Sequence, residues 1–417
     1  MHRYRTLAGI CGGLLLSAAT VGQAQSLLRP LGFPDPQPFR LDDALNGRDF
    51  EYNSESFLHR FTFRSLTPLS SGLAQDREGL YGTAGSTKSN ELYTVMYLQK
   101  TLPLDDDYFL RYRFVRDEDF DGRYDRNLLG FGRNLGERWS FSFSGDVQGD
   151  KSRIDLETEL SWRGEDGSHA RFALVAPDAL FNDKQREAQF TRHPYTGFID
   201  LRWQVHTGVS LWMFANHNAP SRLRSEALDL DFSDRGTAAG LGADTVLGAR
   251  WRLSAWLEGE SSRRIRTSLS DVTDPVRFTR RYREAGAQLS RDVMPKLEGW
   301  TGIRLLRLDE DGRHTLEVLD QRQLSRDEVL VYAGVSWRLG SRYRFHPGVY
   351  LNRFDNDETF AHAPTRNRDE AGIEAKLALP LELNVHRASG ATLTINPTLR
   401  LHRPAFGGGN IQAHIPF

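Results

Sequence analysis

From about residue 54 to the end, the chain alternates apolar and polar residues in segments of roughly ten, separated by turn signals, and this period of two constrains the fold more than any other feature. Trp251, Leu253, Ala255 and Leu257 stand against Arg252, Ser254, Trp256 and Glu258. Val329, Val331, Ala333, Val335, Trp337 and Leu339 stand against Tyr332, Gly334, Ser336 and Arg338. The pattern recurs in Ile373, Ala375, Leu377 and Leu379 against Glu374 and Lys376, and in Leu393, Ile395, Leu399 and Leu401 against Thr392, Thr394, Asn396 and Arg400. Side chains on a strand point alternately to its two faces, so each segment reads as a strand with one apolar and one polar face. Phe57, Phe61, Phe63, Tyr112, Phe114, Phe141, Phe143, Ile199, Leu201, Trp203, Val209 and Leu211 extend the apolar face to nearly every strand.

The connectors alternate as well. Short ones fall at residues 103–106, 135–137, 164–167, 207–208, 247–249, 292–296, 339–342 and 384–390. Between them lie mostly longer polar ones at 67–89, 117–126, 178–195, 218–235, 263–278, 309–326 and 355–370. Bacterial outer-membrane barrels resemble this rhythm, with tight periplasmic turns, long extracellular loops and an even strand number. The resemblance implies an all-β fold, a transmembrane antiparallel β-barrel of about 18 strands over residues 54–417, with 16 as the alternative count. A soluble sandwich or propeller would also alternate, but it has no need of alternating connector lengths. Low hydrophobic content, 39%, argues against a helical membrane protein and leaves a barrel open, because only one face of each barrel strand meets lipid.

Three short connectors are nearly the same: Leu135-Gly136-Glu137-Arg138-Trp139, Leu247-Gly248-Ala249-Arg250-Trp251 and Leu339-Gly340-Ser341-Arg342-Tyr343. Glycine supplies the positive backbone dihedral of a tight hairpin, and the aromatic residue is expected at headgroup depth. The last residues, Ile411, Ala413, Ile415 and Phe417, resemble the C-terminal signature that the barrel assembly machinery reads; Gln412 and Pro416 depart from it. The beginning of the chain has Arg3 and Arg5, an apolar run from Leu7 to Val21, and small residues Gly22 and Ala24. That is the pattern of a secretory signal peptide over residues 1–24, cleaved after Ala24. Residues 25–53, with Pro30, Pro34, Pro36 and Pro38, are expected to be an extended periplasmic lead-in. The only cysteine, Cys11, falls inside the signal, so disulfides contribute nothing to the mature fold.

The near-neutral formal charge of −1 gives no reason to expect nucleic acid as a partner. No nucleophile elbow, zinc-binding helix or phosphate-binding loop occurs, so neither an enzyme nor a cofactor is expected. The best metal candidate is Asp117-Glu118-Asp119-Phe120-Asp121-Gly122 with Asp125, which looks like the start of a calcium loop. Leu128 stands at its twelfth position in place of a bidentate glutamate, so a solvated acidic loop is favoured and Asp117, Asp119, Asp121 and Asp125 are only a weak ligand set.

With the apolar face to lipid, Asp146, Asp155, Glu157 and Glu159 point into the lumen, as do Arg252, Arg304, Arg338, Arg342 and Arg344. The acids and the group from Arg304 to Arg344 are expected about half a barrel apart, as opposed walls whose transverse field favours polar solutes. The expected function is an outer-membrane channel for hydrophilic solutes, with a saccharide or charged polysaccharide as cargo. An exopolysaccharide export porin, a barrel enzyme acting on lipid, and an adhesion or assembly barrel are the alternatives. Expected partners are outer-membrane lipid and lipopolysaccharide, the assembly machinery, and the solute or polysaccharide.

Overall fold

A computed structural model of the chain describes residues 79–416 except 89–90, 120–122, 148–155, 177–182, 187–188, 193–194, 227–228, 249, 271–275, 314–320, 362–363, 387–388 and 402–403. In chain order the strands are β1 (Gly79–Lys88), β2 (Glu91–Pro103), β3 (Tyr108–Asp119), β4 (Arg123–Leu135), β5 (Trp139–Asp146), β6 (Leu156–Arg163) and β7 (His169–Ala176). A small hairpin of β8 (Asp183–Arg186) and β9 (Gln189–Arg192) follows, then β10 (Thr196–His206), β11 (Val209–Ser225), β12 (Leu230–Leu247), β13 (Trp251–Thr267) and β14 (Val276–Met294). The chain continues through β15 (Leu297–Arg313), β16 (Gln321–Arg338), β17 (Tyr343–Phe345), β18 (Gly348–Phe360), β19 (Arg368–Ala378), β20 (Leu381–His386), β21 (Ala391–Arg400) and β22 (Ala405–Pro416).

All are joined in one sheet by antiparallel pairing, and β1 pairs with both β2 and β22, which closes the sheet on itself. Two barrel strands are interrupted. β17 and β18 form one of them, split at Pro347, and β19 and β20 form the other, split at Pro380. Proline has no N–H for the ladder, but its carbonyl still accepts: Val335 N–H bonds Pro347 at 3.0 Å and His346 N–H bonds Pro380 at 2.9 Å. The hairpin β8–β9 prolongs the β7–β10 pair at the other end, β9 pairing with β11 on the same register as β10, so it adds no strand of its own and the result is a closed barrel of 18 strands.

Side chains alternate across this wall in an order opposite to that of a water-soluble protein. Leu129, Phe131, Phe141, Phe143, Leu241, Leu257, Leu305, Val331, Leu351 and Ile373 are exposed on the outside. Ser142, Ser144, Glu157, Glu159, Glu284, Arg304, Glu328, Asn352, Lys376 and Asn396 are buried on the inside. Exposed leucine and phenylalanine cost about 25 cal/mol per Å² in water and nothing in hydrocarbon, so the outer surface is made for lipid. A closed barrel leaves no unpaired strand edge in that lipid, where a bare backbone group finds no water.

The short connectors are tight turns at one end of the barrel. Gly136, Gly248 and Gly340 in the repeated turn have φ of 79°, 70° and 94°, the left-handed region that favours glycine. Trp139, Trp251 and Tyr343 beside them are exposed on the outer surface. The other end differs from the expected long loops. Strands run on through much of the polar sequence: β11 reaches Ser225 and β12 resumes at Leu230, β15 reaches Arg313 and β16 starts at Gln321. The second part of the segment 67–89, read as a connector, is corrected in the same way, because β1 occupies Gly79–Lys88; residues 67–78 lie outside the described residues. Its glycine, serine and threonine content suggests a loop, but ladder bonds to β2 and β22 on both edges hold it as a strand. The expected signal, the lead-in, the strand around Phe57 and Phe63, and Phe417 lie outside the described residues. Ile411 and Ile415 are on the outer face, as expected.

Candidate functional site

The candidate site is the inner face, and its organisation begins with glycine. Trp212 lies where a Cβ on Gly242 would be, with Cζ2 at 2.3 Å from that position; Phe214 covers Gly240, Trp256 covers Gly286, Tyr332 covers Gly302, and Phe354 covers Gly372. Each ring therefore lies down on the neighbouring strand instead of standing into the lumen. Only glycine leaves that space, which ties each ring to a glycine one strand away.

Between the rings, charges are paired on nearby strands. From β3, Arg111 bonds Glu159 on β6 at 2.8 Å and Arg113 bonds Glu157. Arg171 on β7 stands 3.7 Å from Glu159. The β3 arginines reach across two intervening strands past the small residues Gly130 on β4 and Ser142 and Ser144 on β5, while the Phe109 ring lies on Gly132 beside them. Arg111 and Arg171 also sit over Phe109 and Phe198, at 5.2 and 4.8 Å. A second cluster centres on Glu284 of β14, which accepts from Trp256 Nε1 at 2.8 Å and from the Tyr282 hydroxyl at 2.5 Å, with Arg304 Nε 3.7 Å away. In a third, Arg326 pairs with Glu328, which also accepts from Asn352 Nδ2 at 2.9 Å, and Arg326 lies over Phe354.

One sector of the interior is packed like a core. Leu306, Leu308, Leu324, Leu330, Tyr332, Tyr350 and Ala378, on β15, β16, β18 and β19, form an apolar cluster. Tyr332 and Tyr350 stack at 5.9 Å between ring centroids, and Trp300 is tilted against both at 6.0 and 6.2 Å. The inner face is thus not uniformly polar.

These pairs revise the expected electrostatics. Asp146, Glu157, Glu159 and Arg304 are buried on the inner face, and Asp155 lies outside the described residues. Arg252 pairs with Asp292 and Glu298, each at 2.9 Å, near the tight-turn end, and Arg344 pairs with Glu382 at 3.5 Å. Arg338 and Arg342 are exposed at the tight-turn end, so they form a rim and not a wall. Glu157, Glu159, Arg252, Arg304 and Arg344 each have an opposite charge on another strand close by, which weakens the expected opposed walls. Walls on the order of 30 Å apart, with strands about 4.8 Å apart, cannot compete with such neighbours when salt screens over about 8 Å. The reading missed Arg111, Arg113, Arg171, Glu284, Arg326 and Glu328; alternate-position glycines, such as Gly130 with Gly132 and Gly240 with Gly242, were the available signal.

The acidic run on β3 is also reassigned. Asp117 and Asp119 belong to β3 and Asp125 to β4, with Asp117 opposite Tyr124 and Arg116 opposite Asp125 in the ladder, whereas a calcium loop wraps its backbone around one centre. Asp121 lies outside the described residues, among which no group of three or more His, Cys, Asp or Glu is placed to hold a metal.

Apolar outside, polar inside, closed by β1 on β22: this combination decides the setting. The chain is an outer-membrane β-barrel. No family model and no curated protein matches the sequence. Among solved structures, OccK2 (OpdF) of Pseudomonas aeruginosa is similar at 10% identity and a TM-score of 0.45, over 82% of this chain and 98% of that one. A loop-deletion form of OmpT, an outer membrane protein of Vibrio cholerae, is 13% identical with a TM-score of 0.38, over 81% and 97%. A bacterial polysaccharide outer membrane secretin is 10% identical with a TM-score of 0.38, over 81% and 97%. At this level the likenesses add nothing to what the strand register already establishes.

Proposed function

We propose that the barrel is an outer-membrane channel for small hydrophilic solutes, with saccharides as the favoured cargo. The observation that carries this reading is the inner face itself, where rings laid flat on glycines alternate with Arg–Glu pairs and amides. A sugar presents apolar C–H faces and a rim of hydroxyls, and such a surface offers ring faces to the first and charge-assisted hydrogen bonds to the second. Locally neutralised charge favours uncharged or zwitterionic solutes over polyanions, which narrows the cargo expected from the sequence.

Purified barrel in liposomes should swell them in isosmotic monosaccharide or disaccharide. In planar bilayers it should give discrete conductances, of the same size in the wild type and in Tyr332→Ala, because the Tyr332 ring lies flat on Gly302. Protein that is folded by heat-modifiable gel migration, yet neither swells liposomes nor conducts in wild-type or variant form, would overturn the channel reading.

A further inference from the structure

The outer surface carries a feature that a plain lipid-facing wall does not need. A cavity of about 410 Å³ is lined mainly by two adjacent outward rows crossing β5, β6, β7, β10, β11 and β12. In one row Phe141, Leu160, Phe172, Ile199 and Ala215 follow in register; in the other Thr158, Leu174, Gly197, His217 and Thr237 follow. The floor is low where Gly197 and Ala215 meet, and a Cβ on Gly197 would touch nothing within 4 Å. On its β12 side the groove ends at His217 Nδ1 and Thr237 Oγ1, 2.9 Å apart.

The same two rows continue onto β13 as Gly259 and Ser261, then reach Arg283 and Arg281 on β14. One outward position further toward the extended hairpins, Arg235 on β12 directly faces Arg263 on β13. Arg277 completes a patch of five outward arginines. Among the described residues none of the five has an ion-pair or hydrogen-bond partner. Asp309 faces Arg281 in register, but its carboxylate accepts from Arg307 at 3.1 Å and from Ser325. Like charges directly opposed on neighbouring strands repel, and in a setting that meets lipid just below, an anion is the group that offsets this. Leu241 and Leu257, exposed in the next outward row toward the tight turns, place the patch at the upper edge of the apolar belt.

We propose that this face holds a phosphorylated, multiply acylated lipid of the leaflet on the extended-hairpin side, with acyl chain in the groove and phosphate on Arg235, Arg263 and Arg281. The groove supplies the apolar contact and the arginines supply the charge. The site is on the outside of the wall and does not depend on what passes through the barrel.

Folded barrel purified in detergent is loaded with lipid A, with dephosphorylated lipid A, or with inorganic phosphate, and retention is read by native mass spectrometry. Lipid A should be retained in preference to its dephosphorylated form. The R235Q/R263Q double variant should lose about tenfold or more of that retention, since each basic side chain near a lipid surface contributes about one decimal order or slightly less. Gly197→Leu, which fills the groove, should weaken both lipids alike, and Arg291→Gln, at the tight-turn end, should weaken neither. Equal retention of the two lipids, an unaltered R235Q/R263Q variant that still migrates as folded barrel, or inorganic phosphate displacing lipid A would each overturn the proposal.

Discussion

At Gly286 an added methyl group would have to share space with the indole of Trp256, whose Cζ2 lies 2.2 Å from the Cβ position. A tryptophan ring cannot step aside cheaply on a wall flanked by Glu284 and Arg304, so Gly286→Ala should destabilise the barrel by about 1–3 kcal/mol, the usual cost of overpacking. At Gly82 the same methyl meets nothing within 4 Å, and Gly82→Ala should be neutral. Urea-dependent unfolding followed by gel migration reads both. Combining Gly286→Ala with Trp256→Ala should recover part of the loss, because the clash is with the ring. Equal effects at the two glycines would show that the rings do not rest on glycine. These glycines were visible in the sequence only as breaks in the polar face of a strand; what each one accommodates depends on the register, which one sequence does not state.

Individual strands were legible where they cross lipid and illegible beyond it. Within the apolar belt one face must be apolar, so residues such as Leu253 and Leu257 mark the period; past the belt both faces meet water, and β11 and β12 continue as polar sequence that reads as loop. Hydrogen bonds between strands and contacts at the tips hold these extensions. At the tip between β11 and β12, Asp229 takes a φ of 47°, and its carboxylate accepts from the Ser268 hydroxyl and from Ser270 N and Oγ at 2.7 and 2.6 Å, joining this hairpin to the next. Those bonds, Ser268 first, hold its carboxyl below the ordinary aspartate value of 3.8. A depressed folded value means that the contribution of the latch is present above the unfolded value and is lost as pH falls through the folded one. Spin labels on cysteines introduced at Glu226 and Leu269 should give a narrow distance distribution at neutral pH that broadens only below 3.8. Asp229→Ala should be broad throughout; a narrow distribution in that variant would show that the serines are not the link.

On the scale of the whole molecule, the two-residue period set the closed barrel and its apolar outside, because turning one face of every strand to lipid leaves the other for the interior. The interior charge pattern could not be read strand by strand, since Glu159 is neutralised from β3 and β7 and its partners are far away in the sequence. Direction across the membrane follows from the two unlike ends. The tight turns with Gly136, Gly248 and Gly340 suit the periplasm, where a barrel threads in from the assembly side, and the extended polar hairpins suit the outside. With Cys11 the only cysteine of the sequence, single cysteines report each end cleanly. Thr365→Cys, at the extended-hairpin end, should react on intact cells with a thiol reagent that does not cross the outer membrane. Glu137→Cys and Ser341→Cys, in the tight turns, should react only after that membrane is opened. The opposite labelling would invert the barrel and move the arginine patch into the inner leaflet, where phosphorylated glycolipid is absent; labelling of all three sites on intact cells would mean that the barrel is not inserted.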